Sequence, residues 1–121
     1  MLKEHEVLFR RLKEIKDYWS DTALESLSEE SDLSWSNCEK EYLFLRKAIS
    51  TEEGKKAYSN TIDELMRGLI HSILVMFDGG DELTDEFNID IINADTKKSL
   101  LEKISLHEEF IDYIFDAEKN K

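Results

Sequence analysis

With 121 residues and a formal net charge of -12, the chain is long enough for one domain with a real core, without help from disulfides or a structural metal. Hydrophobic residues make up 40% and charged residues 36%, too much aliphatic and aromatic content for a disordered chain. The acidic excess opposes binding to nucleic-acid phosphate or anionic lipid, which rests on Lys and Arg, and favours a cationic partner.

The first helix is predicted from about Leu2 to Trp19, where Leu8, Leu12, Ile15 and Trp19 recur at three-to-four spacing and Phe9 widens the stripe. Thr22 and Glu25 have capping-box spacing and predict a short helix before a polar loop, with Leu24, Leu27, Leu33 and Trp35 folding back on the core. Ser36 with Glu39 predicts a further helix to about Ile49, with Tyr42, Leu45 and Ile49 inward. Ser50 with Glu53 opens the longest periodic segment, Tyr58, Ile62, Leu65, Met66, Leu69, Ile70, Ile73, Leu74 and Phe77, which is expected to be the central helix. A buried strand over residues 69–77 is the alternative, since Gly68 could end the helix.

FNIDIIN then alternates Phe87, Ile89 and Ile91 with Asn88 and Asp90, a half-buried strand pattern, and NADTK makes a turn. Thr96 to Ile104 could return as a short second strand or already be helical; the hairpin is preferred and is placed near residues 86–104. Ser105 with Glu108 predicts the last helix, carrying Leu106, Phe110, Tyr113 and Ile114 inward. The fold class expected is mainly α with a small β-hairpin (α+β): a helical bundle around a long central helix, as a single domain over residues 1–121. The longest apolar runs, Tyr42 to Leu45 and Ile73 to Phe77, are far short of a membrane span, and the N-terminal segment has no uninterrupted apolar stretch of signal-peptide length. A cytoplasmic protein with no membrane segment is expected. The lone cysteine, Cys38, excludes an internal disulfide or a Cys-rich zinc site and reads as a small core residue.

Charge is unevenly distributed. Residues 17–37 hold six acids and no Lys or Arg, residues 68–96 hold seven acids and again none, and the rest has fifteen acids against sixteen bases. Acids at 78–82 also follow a helix C-terminus, where the macrodipole disfavours negative charge by about 0.3–1 kcal/mol. Such placement suggests a surface that meets something cationic. The residues that would carry it are Asp78, Asp81, Glu82, Asp85, Glu86 and Asp90 in one segment and Glu29, Glu30 and Asp32 in the other, with Trp35 and Phe87 as aromatic anchors.

DGGDELTDEFNID fails as a calcium loop. An EF-hand starting at Asp78 would place Leu83 at the glycine position and Ile89 at position 12, and one starting at Asp81 places Leu83 at a ligand position. Gly79 and Gly80 lack a nucleotide-loop context and read as a helix C-cap. No cofactor or metal site is expected, and no catalytic residue: neither Gly-x-Ser-x-Gly nor His-Glu-x-x-His occurs.

The segment from Leu69 to Phe115, with LVMFDGG, FNIDIIN and SLHEEFIDYIF, resembles the small acidic immunity proteins of bacterial polymorphic toxin systems. That resemblance implies a partner that is a basic toxin domain, and no residue role. The leading expectation is an acidic protein-binding module. One alternative is a metal-dependent regulator or enzyme using His71, His107 and nearby carboxylates such as Asp78 and Glu108. Another is a helical adaptor or homo-oligomer paired through the Leu8 to Trp19 stripe.

Overall fold

The computed structural model describes residues 3–119. Four helices account for most of them: α1 (Lys3–Glu25), α2 (Glu39–Ala48), α3 (Glu52–Phe77) and α4 (Leu106–Lys119). Between the last two lie a 3-10 turn at Glu82–Asp85 and a minimal antiparallel hairpin. Its strands, β1 (Ile92–Asn93) and β2 (Lys98–Ser99), pair Ile92 with Ser99 and Asn93 with Lys98. The mainly helical α+β class is thus as expected, and residues 69–77 are helical.

Several local boundaries differ from the sequence reading. Thr22 starts no helix: its hydroxyl donates to the Tyr18 carbonyl 2.7 Å away, inside an α1 that runs on to Glu25. In that geometry the side chain satisfies a helical carbonyl instead of capping an end. α3 is capped one residue later than Ser50, by Thr51, whose Oγ1 accepts from the Gly54 amide at 3.0 Å. The α2 N-cap is Cys38, without a side-chain bond; Ser36 Oγ accepts from the Cys38 amide instead. Cys38 is exposed, so it is no core residue. FNIDIIN pairs only at its end, through Ile92 and Asn93 and the Ile91 carbonyl, which accepts from the Leu100 amide at 2.7 Å, and Phe87 is exposed.

The chain divides into two compact units. The first takes the chain up to Lys13 and again from Gly68. Its core is Phe9, Leu74, Leu106, Phe110 and Ile114, flanked by Leu8, Leu12, Ile70, Leu101 and Tyr113. The i, i+4, i+8 spacing of Leu106, Phe110 and Ile114 puts all three on one face of α4, each 1% exposed. Phe9 meets Phe110 with ring centroids 5.6 Å apart and Tyr113 at 6.1 Å, both tilted. His5 is buried beside this core, its Nε2–H donating to the Leu100 carbonyl at 2.7 Å.

α3 ends within this unit in a Schellman motif. The Gly80 amide donates to the Val75 carbonyl at 2.9 Å and the Gly79 amide to that of Met76 at 3.1 Å, with Gly79 at φ +79°. That left-handed conformation suits glycine because no Cβ meets the backbone. A Cβ on Gly80 would in turn lie 2.9 Å from Val75 Cγ1. Gly79→Ala is expected to cost about 1 kcal/mol, read as a lower midpoint in thermal unfolding.

The second unit is Glu14–Arg67. It is organised differently, since its buried side chains are Leu27 and Leu33 together with the polar Lys16, Ser20 and Ser26. Lys16, 2% exposed, places its ammonium 2.8 Å from Asp17 Oδ1 and 2.7 Å from Asp63 Oδ1. Asp63 also accepts from Ser20 Oγ at 2.9 Å and from Arg67 at 3.2 Å. Burial disfavours the charge on Lys16, but the hydrogen bonds and charges of Asp17 and Asp63 outweigh it and hold its pKa above 10.5. Burial likewise pushes Asp63 up, and the Lys16, Ser20 and Arg67 bonds bring it below 3.8.

Candidate docking surfaces

In the first unit, the acid that follows α3 is not displayed. Asp78, its side chain 8% exposed, turns its carboxylate onto the N-terminus of α4, where it accepts from the Leu106 amide at 2.9 Å and the His107 amide at 2.8 Å. His107 Nδ1 lies 2.5 Å from Asp78 Oδ2, and Ser105 Oγ lies 3.0 Å from the same nitrogen. The Asp78 charge that stands badly at the end of α3 stands well at the beginning of α4, whose free amides and dipole favour an anion. Asp78 is therefore the cap of α4, the role the sequence reading gave to Ser105, and it belongs to the fold rather than to an exposed acidic face.

The other acids of this segment remain at the surface. Asp81 caps the 3-10 turn through the Leu83 amide at 2.9 Å, and Glu82, Asp85 and Glu86 are exposed on and beside that turn. Asp90 accepts from Ser99 Oγ at 2.5 Å at the base of the hairpin. Phe87, directly after Glu86, is 58% exposed. None of these five acids forms an ion pair with another described residue.

His71 and His107 do meet, edge to face, with ring centroids 5.4 Å apart. His107 Nε2 is 3.8 Å from Glu108 Oε1, and His71 Nδ1 is buried without a hydrogen-bond partner. Among the described residues no group of three or more His, Cys, Asp or Glu side chains could hold a metal ion. The contact joins α3 to the start of α4 that Asp78 caps.

In the second unit, Glu29, Glu30 and Asp32 sit on the loop between α1 and α2, and all three are exposed. The loop is held from within: Arg46 of α2 donates through Nε to the Ser26 carbonyl at 2.8 Å and through its terminal nitrogen to that of Ser31 at 3.1 Å. These bonds span the turn that presents Glu29 and Glu30. Beneath it opens a cleft of about 580 Å3, lined by Leu24, Leu27, Glu25, Glu29, Glu30 and Arg46 among others. The Ser34 amide and hydroxyl both bond the Asp32 carboxylate, at 2.9 and 3.1 Å, and hold its pKa below the ordinary value.

Trp35, on the same loop, is 51% exposed and lies within an unbroken run of aromatic rings. Tyr18 meets Trp19 at 5.2 Å, Trp19 meets Trp35 at 6.4 Å and Trp35 meets Tyr42 at 5.7 Å, every contact edge to face. Tyr18 is 62% and Trp19 46% exposed. The helical stripe placed Trp19 inward, but the phase of α1 that buries Phe9 and Lys16 leaves Ile15, Tyr18 and Trp19 at the surface. The grouping of these rings escapes local spacing because it joins residues 18–19, 35 and 42 through tertiary structure.

No protein family, curated protein or solved structure matches the chain. Among the described residues, no helix is long and apolar enough to cross a membrane.

Proposed function

We propose that this chain is a cytoplasmic protein-binding module that docks a basic protein partner through its exposed acidic segments. The observation that carries the reading is the display of Glu29, Glu30 and Asp32 on a loop pinned by Arg46, without an ion pair of their own among the described residues. Clustered like charges repel, so a surface that keeps them unpaired is poised for positive charge from outside. Asp81, Glu82, Asp85, Glu86 and Asp90 provide a second acidic segment of the same sign. The immunity-type resemblance refines the reading: the basic partner would be a toxin domain, encoded beside this gene, whose groove for phosphate the carboxylates fill.

The test uses a basic protein retrieved at low ionic strength and its affinity measured as salt rises. Affinity is expected to fall about tenfold or more once the Debye length shrinks to about 3 Å near 1 M salt. Converting Glu29, Glu30 and Asp32 to their amides should reproduce much of that loss at low salt. Binding indifferent both to salt and to amidation of either acidic segment would end the proposal.

A further inference from the structure

We infer that the aromatic run Tyr18, Trp19, Trp35 and Tyr42 is the anchor of the docking surface, and that it takes a basic segment of the partner by stacking arginine side chains on its exposed rings. This rests on the docking reading above and names the chemistry of its partner. Large aromatic rings normally bury most of their surface, yet three of these four stand about half exposed or more, contiguous and held at fixed spacing by edge-to-face contacts.

Two features choose the occupant. The first is sign: residues 17–37, which supply three of the rings, hold six acids and no Lys or Arg, so an anionic or neutral partner gains nothing there that a cationic one does not exceed. A guanidinium over a tryptophan face gains from the ring quadrupole and, here, from the carboxylates on the same loop. Arginine suits this better than lysine because its plane stacks on the ring and is more weakly hydrated. The second is geometry. Successive rings lie 5.2, 6.4 and 5.7 Å apart and at 87°, 63° and 61° to one another, so their faces turn in different directions. A segment carrying several arginines, whose long side chains turn to differently directed faces, suits the run.

The probe is a synthetic alternating serine–arginine peptide, with the serine–lysine peptide of equal charge beside it, titrated calorimetrically into the full chain at low salt. The arginine peptide should bind more tightly. Trp35→Leu should weaken it about tenfold, Trp35→Phe should restore most of the loss, and Phe115→Leu, at an equally exposed ring on α4, should leave it unchanged. Trp35→Leu keeps every charge, so purely electrostatic capture predicts no change. If Trp35→Leu binds as the parent does while amidation of Glu29, Glu30 and Asp32 weakens binding, the aromatic anchor is overturned and the acidic docking reading stands. If neither change matters, or neither peptide binds, both fall.

Discussion

Replacing Asp78 with alanine is expected to destabilise the first unit by about 2–3 kcal/mol, more than an ordinary capping loss of about 1 kcal/mol. The excess arises because three groups lose their acceptor together: the Leu106 amide, the His107 amide and His107 Nδ1. All lie close to the fully packed Leu106, where water replaces a lost partner poorly. Asp78→Asn keeps one carbonyl oxygen but loses the charge favoured by the α4 dipole, and should cost roughly half as much. Urea unfolding orders the two variants, and amide exchange localises the effect. Faster exchange at Leu106 and His107 is expected in Asp78→Ala; equal stability of the alanine variant and the parent would show that Ser105 caps the helix instead.

The other large effect belongs to Asp63. Asp63→Ala leaves the Lys16 ammonium buried with Asp17 as its remaining carboxylate, and should cost about 2–4 kcal/mol, somewhat below the full loss for an unpaired buried charge. Lys16→Met removes the charge and keeps the volume, and should cost only about 1 kcal/mol, because Ser20 and Arg67 still serve Asp63. Equal losses for the two variants would reject buried charge as the cause. The dependence on pH follows from the signs. Asp63, depressed when folded, contributes stability that is complete above 3.8 and lost as pH falls through its lower folded value. Lys16, raised when folded, contributes stability that is complete below 10.5 and lost as pH rises through its higher folded value. The gap between parent and Asp63→Ala should thus be level across neutral pH and close in acid.

Local periodicity carried the helices, since Leu106, Phe110 and Ile114 or Phe9 with Leu12 declare a face within one or two turns. It failed where a side chain had two local uses. Thr22 and Glu25 have the spacing of a cap, yet Thr22 bonds backward to Tyr18 and the helix continues. It failed again where the partner was distant: nothing near Ser105 announces that Asp78 will cap α4, and nothing near Trp35 announces Trp19 and Tyr42. The acidic segments were legible as charge counts, but a count does not separate Asp78, absorbed into the fold, from Glu82 or Glu86, left at the surface. Buried Lys16 is hidden for a related reason, since nothing local distinguishes it from the exposed cations Arg10 and Arg11 of the same helix.

The Asp78 contact also acts on the chain as a tether. It joins residues 28 apart, so the 3-10 turn and hairpin form a closed loop whose two ends are fixed at one point. Loop-closure entropy grows slowly, each doubling of length adding only about 0.6 kcal/mol, so such a loop tolerates extension or resequencing far better than the helices that hold it. The acidic segment from Asp81 to Asp90 is thereby free to change its length and charge pattern to suit a partner while the core beneath it stays the same.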